Sequence, residues 1–429
     1  MSNETLTAII AAAAIVLDFV IRIAAIAYIP NNRKPSAATA WLLAIFFIPI
    51  IGGIAFLLIG SNKLSKKRRA KQKHINSLIT QRTKGVATIG EENGPPKWFR
   101  SLALLNTRLG ALPLVGGNNA RLFDNYEGSL REMTKEIHKA KNYVNIEFFI
   151  MTLDKTTKPL FDALADAVMR GVTVRLLLDH VASLQYPDYK QTLAFLTENN
   201  IEWHVMLPFQ PLKGKFQRPD LRNHRKLLVI DGKIGFTGSQ NIIDKSYNKK
   251  KNIKVGLKWH ELVVRVEGPV VTELNALFIN DWYAETDELL VQLVPKIGIK
   301  LVDKGDLDCQ IVPSGPGFDS ENNLKMFNSL MYNAKNKIII TSPYFVPDES
   351  MFNAITTAAE RGLEVILFVS EIGDQWLVYH AQRSYYEALL KAGVRIYMYK
   401  SPYVLHAKHL TIDDAISVVG SSNMDIRSF

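Results

Sequence analysis

Two long apolar runs open the chain, and an alternation of helix-like and strand-like patterns fills the rest. Leu6 to Ile29 is almost wholly apolar, interrupted by Asp18 and Arg22; Ala37 to Ile59 is apolar throughout, with Pro49, Gly52 and Gly53 inside it. Each run approaches the about 20 residues that a helix needs to cross a bilayer core. Between them lies the polar turn Pro30-Asn-Asn-Arg-Lys-Pro35. The pattern predicts a two-helix transmembrane hairpin over residues 1–60. A cleaved signal peptide is the alternative, but it calls for a basic start and a shorter core, whereas this chain starts Met-Ser-Asn-Glu and a second apolar run follows at once. Asp18 and Arg22 share a helix face and are expected to pair. A charge inside a membrane helix also marks functional positions, and that reading stays open. Lys63, Lys66, Lys67, Arg68, Arg69, Lys71 and Lys73 follow the second run, against only Arg33 and Lys34 in the turn. This asymmetry predicts that the chain from residue 63 onward faces the cytoplasm. The same basic run could hold anionic headgroups as well as set topology.

Beyond a basic juxtamembrane linker, residues 61–115, the alternating pattern predicts an α/β fold, and it repeats. Ala140-Lys-Asn142 opens one apolar strand and Ala334-Lys-Asn336 another; Arg170-Gly171 and Arg361-Gly362 each close a helix before a further strand; Asn199-Asn200 and Ala392-Gly393 do so again. A glycine after the last turn is a common helix stop. The order is kept, so two similar lobes with mixed sheets flanked by helices are expected, at residues 116–300 and 308–429. The first carries an extra basic insertion from Pro208 to Arg218, with Lys213 and Lys215.

The chemistry repeats in step with the pattern. His224-Arg-Lys226 runs to Asp231 and on to Gly238-Ser239-Gln-Asn241; His406-Ala-Lys408 runs to Asp413 and on to Gly420-Ser421-Ser-Asn423. In a strand alternate residues share a face, so each histidine projects beside its lysine and the aspartate points the other way. Two such pairs meeting at the lobe interface make a phosphate site. The lysines neutralise nonbridging oxygens, and Ser239, Asn241, Ser421 and Asn423 are expected to add hydrogen bonds. One histidine can attack phosphorus while the other handles the leaving and entering alcohols. A lone histidine in a strand is usually structural; two full copies inside a wider repeat point to catalysis. No metal or other cofactor is called for, since neither H-E-x-x-H nor a Cys-His cluster is present. His409 has Leu227 as its counterpart and is left out. The run Lys249, Lys250 and Lys251 reads as a solvated loop.

Composition narrows the setting. The chain is 47% hydrophobic and 22% charged, a folded composition, and its single cysteine, Cys309, excludes an intramolecular disulfide. A formal net charge of +11 suits an anionic membrane surface or nucleic acid; the apolar N-terminus favours the membrane.

The duplicated H-x-K-x4-D resembles the signature of the phospholipase D superfamily. Within it the chain is similar to the bacterial cardiolipin synthases, in Ile146-Glu-Phe-Phe-Ile150, Pro313-Ser-Gly-Pro-Gly317, Ser342-Pro-Tyr-Phe-Val-Pro347 and Asn423-Met-Asp-Ile-Arg-Ser428 as well as in the N-terminal runs. The resemblance implies a phosphatidyltransferase of the bacterial inner membrane that turns two phosphatidylglycerols into cardiolipin and glycerol. His224, Lys226, Asp231, His406, Lys408 and Asp413 would be catalytic, with His224 the nucleophile and His406 the acid and base. Its partners would be membrane phospholipids and not nucleic acid. It also implies a carboxylate that orients a catalytic histidine; Glu261 fills that place after the first motif. The sequence stops at Phe429 before a second such carboxylate, and the second lobe is expected to be C-terminally incomplete. Two rivals remain: another superfamily enzyme (a hydrolase, a phosphatidylserine synthase or a nuclease), or a catalytically impaired lipid-binding protein.

Overall fold

The computed structural model describes residues 3–31, 33–61, 63–83, 96–210, 218, 220–290, 305–318, 321–426 and 428. Residues 84–95 of the expected linker, Lys213 and Lys215 of the insertion, the stretch 291–304, and Arg427 and Phe429 lie outside the described residues. Met1–Leu64 with Arg218–Leu221 forms one compact unit; Ser65–Gln217 with Arg222–Phe429 forms the other.

The first unit holds three helices: α1 (Asn3–Tyr28), α2 (Pro35–Phe47) and α3 (Pro49–Ile59). Arg22 pairs with Asp18 at 2.9 Å, as the i,i+4 spacing predicts. Ala25, Ile29, Ala38 and Ile45 pack together between the helices, while Ile15, Phe47 and Leu57 are left facing outward. Of the helices described, α1 is the one long and apolar enough to cross a membrane. The second apolar run corrects the simple hairpin, because it is two helices of 13 and 11 residues rather than one. The cause is local: Ile48 takes an extended φ of −137°, and Pro49 has no N–H to continue the helical ladder. The chain bends so sharply there that a Cβ on Gly52 would lie 2.8 Å from the carbonyl oxygen of Ala44. Glycine permits that approach.

The second unit begins with α4 (Lys66–Thr83) and α5 (Lys97–Gly110). The first lobe then runs β1 (Val115–Phe123), α6 (Tyr126–His138), β2 (Tyr143–Phe148), α7 (Lys158–Met169), β3 (Thr173–Asp179), α8 (His180–Leu184), α9 (Tyr189–Glu198), β4 (Glu202–Met206), β5 (Lys226–Ile230), β6 (Ile234–Gly238), α10 (Lys250–Lys254), β7 (Lys258–His260), β8 (Val263–Glu267) and α11 (Val270–Thr286). After β9 (Leu307–Cys309) the second lobe runs α12 (Asn322–Asn333), β10 (Lys337–Thr341), α13 (Glu349–Glu360), β11 (Glu364–Ser370), α14 (Trp376–Arg383), α15 (Tyr386–Lys391), β12 (Arg395–Tyr399), β13 (Tyr403–Leu405), β14 (His409–Ile412) and β15 (Ile416–Val419).

The first sheet has the order β4-β3-β2-β5-β6-β8-β1-β9 and the second β12-β11-β10-β14-β15. In each, three parallel strands meet an antiparallel pair, β5 and β6 in one and β14 and β15 in the other. The repeat in the sequence is therefore a repeat in topology. The first sheet is covered on both faces. Val144, Ile146 and Phe148 pack with Leu164 of α7 and Met133 of α6 on one side; Leu227 and Val229 pack with Leu274 and Phe278 of α11 on the other. Such double cover suits strands with near-continuous apolar runs.

The repeat markers now acquire a physical meaning. Asp231 sits at φ 52° and Asp413 at φ 53°. The Asp231 carboxylate accepts from the backbone N–H groups of Lys141, Asn142 and Tyr143 at 2.8–2.9 Å. Asp413 accepts from those of Lys335, Asn336 and Lys337 at 2.7–2.9 Å. Each motif aspartate thus pins the entry of the neighbouring strand. Arg170 and Arg361 act alike, donating to carbonyls at the ends of α6 and α12.

The stretch after the membrane unit is not a simple linker. Arg68 of α4 makes a two-pronged pair with Glu285 at 2.7 Å, and Lys71 donates to the carbonyls of Tyr283 and Ala284 at the C-terminus of α11. Cations suit the negative end of a helix. These two bases therefore dock α4 on the first lobe and are not free for headgroups. Leu102 of α5, with Trp98, Phe99 and Leu105 around it, joins the second lobe's core. Strand β9 pairs with β1, so residues 307–309 extend the first lobe's sheet rather than lead into the second.

Asp231→Ala removes three charge-assisted hydrogen bonds and should destabilise the folded lobes by about 2–4 kcal/mol. A drop in the melting temperature of the purified protein checks this, and at temperatures where the variant stays folded anion binding should be retained.

Candidate active site

The site grows from the only strand pairing that joins the lobes among the described residues. Strands β7 and β13 form a two-stranded parallel ribbon in which Leu405 faces His260. One residue further on, the two chains carry Glu261 and His406. The backbone N–H of His406 donates to the carbonyl of His260 at 2.8 Å, which brings His406 Nδ1 to 2.7 Å from Glu261 Oε1. The carboxylate expected after the first motif does orient a motif histidine, but it is the histidine of the opposite lobe.

Glu261 is itself held. Tyr247 donates its hydroxyl to Glu261 Oε1 at 3.2 Å, and Asn241 Nδ2 donates to Tyr247 at 2.8 Å. Asn241 Oδ1 accepts from the N–H of Ile150, and Ser239 Oγ accepts from the N–H of Leu262 at 2.9 Å. Ser239 and Asn241 are therefore engaged in the support of Glu261. The second copy differs. The carbonyl of Ser421 accepts from His224 Nδ1 at 2.9 Å, and the buried Oδ1 of Asn423 has no hydrogen-bond partner.

Each histidine is thus held from across the interface. A carbonyl and a carboxylate both accept, so both rings carry a proton on Nδ1, and Nε2 is the atom left to attack or to exchange a proton. The His224 ring lies 4.5 Å from that of Phe149; the His406 ring stands edge-on to Tyr344 at 6.1 Å. Lys226 and Lys408 are buried beside them, each bonded to the backbone carbonyl of its own motif histidine.

Crowded cations set the electrostatics. Burial, then the charges of Lys226 and Lys408, push His224 well below its ordinary value. His406 is lowered too, by burial, but Glu261 works against the fall. Burial and Lys408 push Lys226 well down, and burial brings Lys408 to about 7. Burial works against the Glu261 carboxylate, yet His406 and Lys408 hold it below the usual range. Two rings with one tautomer and different charge environments are an arrangement that separates a nucleophile from an acid–base group.

The comparisons with known proteins agree with this geometry. The family described as "Cardiolipin synthase, PLD-like domain" matches residues 133–282 and 328–429, and one described as "Phospholipase_D-nuclease N-terminal" matches 20–61. The chain is 32% identical to the cardiolipin synthase of Geobacillus kaustophilus, over 93% of this chain and 78% of that one. The chain belongs to the cardiolipin synthase family of phospholipase D-like proteins. It is 31% identical to cardiolipin synthase A of Pectobacterium atrosepticum, over 93% of this chain and 82% of that one. The crystal structure of phosphatidylserine synthase from Haemophilus influenzae shares the fold, with a TM-score of 0.52 at 14% identity, over 76% of this chain and 83% of that one. Family membership makes the protein a phosphatidyltransferase of the phospholipase D type, associated with the membrane.

Several site residues escape the motif. Phe149 and Tyr344 lie in the strand exits Phe-Phe-Ile and Ser-Pro-Tyr-Phe, whose aromatic character was the available signal. Tyr247 carries no signal in the sequence. Asn223, which donates to Glu147 at 2.7 Å and to Asp281 at 2.9 Å just behind His224, is equally silent.

Sulfate, which does not titrate near neutrality, should bind this cleft more weakly as pH rises through about 7, where Lys408 loses its proton. The sign follows from linkage: the anion favours the charged lysine, so binding takes up a proton, and affinity falls by up to about tenfold per pH unit above that value. Calorimetry at pH 6 and 8, in buffers of different ionisation enthalpy, measures both the affinity and the proton uptake.

Proposed function

We propose that the protein joins two phosphatidylglycerols into cardiolipin and glycerol through a phosphohistidine on His224. The crosswise anchoring carries this reading, because it holds both rings by Nδ1, with Lys226 Nζ 3.4 Å from His224 Nε2 and only His406 backed by a carboxylate. His224 Nε2 attacks phosphorus as the P–O bond to the glycerol headgroup breaks, and the departing oxygen takes the Nε2 proton of His406, which enters this step as the imidazolium paired with Glu261. A headgroup hydroxyl of the second phosphatidylglycerol then gives its proton to His406 and attacks phosphorus, breaking the P–N bond. Lys226 and Lys408 neutralise the nonbridging oxygens in both steps. Glu261 favours the imidazolium that His406 must pass through, and Asn423, with its uncommitted Oδ1, is suited to accept from an entering hydroxyl. The depressed value of His224 keeps it neutral and nucleophilic at physiological pH.

Given phosphatidylglycerol labelled in its phosphate, the enzyme should release cardiolipin and glycerol, and quenching in alkaline detergent, which spares the acid-labile P–N bond, should yield labelled protein. His224→Ala should abolish the label. His406→Ala should slow its formation, most with poor leaving groups, and then let it accumulate. Label on His406 in the unaltered enzyme would exchange the roles, and phosphatidic acid as the main product would make the enzyme a hydrolase.

The lobes are placed in the cytoplasm, on the basic excess after the apolar runs. In intact cells an Asn31→Cys variant should react with an impermeant maleimide and a Lys73→Cys variant should not, both scored in a Cys309→Ser background. The reverse pattern would invert the topology.

A further inference from the structure

The lysines at 249–251 read in the sequence as a solvated charge run, but the structure shows that they belong to a shaped feature. Helix α10 is pinned from within: Asn252 is buried and donates to the carbonyl of Ser246 at 2.9 Å. On its outer side Ile253 is 59% exposed and Val255 66%. Lys249, Lys250, Lys251 and Lys254 flank them in the chain, all exposed. A short helix that presents two exposed aliphatic side chains among four exposed lysines is poorly suited to water and well suited to an anionic interface.

The second lobe offers a counterpart. At the start of α14, Trp376 is 72% exposed and Leu377 74%. Both tips border one apolar cluster at the lobe junction. Leu257, two residues after Val255, and Ile372, four residues before Trp376, pack against the same set containing Trp259 and Val404. That cluster reaches the site: Phe149 packs on it and stacks near His224. On the other side Asp374, two residues before Trp376, accepts from the Tyr344 hydroxyl at 2.8 Å, and Tyr344 stands beside His406.

We propose that these two tips form a bipartite lip that seats the catalytic cleft in the interface of an anionic phospholipid bilayer. This rests on the reading of the substrate as phosphatidylglycerol. A two-chain lipid lifted fully from the bilayer would expose its acyl chains to water. A cleft whose mouth enters the headgroup layer reaches the phosphate without that exposure. Tryptophan favours this depth, and the lysines meet the negative surface potential of the lipid that the site consumes.

The test uses the full chain in nanodiscs. Trp376 fluorescence, isolated as the difference between the unaltered protein and its Trp376→Phe variant, should be quenched by lipids brominated near the headgroup. Quenching should be stronger in phosphatidylglycerol discs than in phosphatidylcholine discs, and Lys→Gln changes at 249–251 and 254 should remove that preference. Serine at Ile253, Val255, Trp376 and Leu377 together should cut cardiolipin formation in bilayers about tenfold or more. The same variant should leave turnover of a short-chain phosphatidylglycerol, below its micellar concentration, within twofold. An unquenched Trp376 would overturn the lip, as would equal losses on bilayer and monomeric substrate, or quenching seen only after a second protein is added. The quenching does not depend on turnover. A quenched Trp376 in a protein that makes no cardiolipin would therefore reject the substrate reading and keep the surface.

Discussion

The structure depends most on a three-residue parallel pairing, Lys258–His260 against Tyr403–Leu405. It is short, but it delivers Glu261 and His406 to each other at 2.7 Å from positions 145 residues apart. Neither lobe has a complete site by itself. The first supplies His224 but borrows its anchor from Ser421; the second supplies His406 but borrows its anchor from Glu261. Duplication has produced a pair of half-sites that are exchanged across an interface and not merely set side by side. The ribbon and the apolar cluster around Trp259 and Val404 keep that exchange in register.

That arrangement gathers Lys226, Lys408 and two histidines around one carboxylate in a dry place. The lysines respond by holding protons more weakly than they would in water. For Lys408 the linkage has a definite sign. The unfolded chain binds this proton more tightly than the folded one between about 7 and the ordinary lysine range, so stability rises with pH across that window. Below it the cost of the buried charge is fully present. The cleft is therefore tuned against itself, and an anionic phosphodiester relieves the repulsion that its own lysines create. Binding and stability draw on the same charges.

Much of this was legible from the residues, and the limits have physical causes. Strand periodicity is the basis for placing each histidine beside its lysine, yet His224, His406 and Lys408 lie just outside β5, β13 and β14, while Asp231 and Asp413 follow the ends of β5 and β14 and turn away. Their partners, the backbone of Lys141–Tyr143 and Lys335–Lys337, coincide with the Ala-Lys-Asn repeat. The crosswise use of Glu261 was not legible, because it is set by long-range pairing of two three-residue strands with no periodic pattern. Pro49 was visible, but a proline within an apolar run is tolerated in some membrane helices, and the bend at Ile48 depends on Gly52 packing against Ala44. Helix α5 could have been found: Trp98, Leu102 and Leu105 recur at helical spacing, the mark of a packed face rather than a linker.

The ribbon also sets when the enzyme comes alive. During synthesis the first lobe's residues, His224 and Glu261 included, leave the ribosome long before Tyr403–Leu405 exist to pair with β7. Throughout that interval a nascent chain already able to enter the membrane has one histidine without its Ser421 carbonyl and one carboxylate without its histidine. The crosswise contacts of both histidines therefore form only once the last third of the chain has folded onto the first lobe.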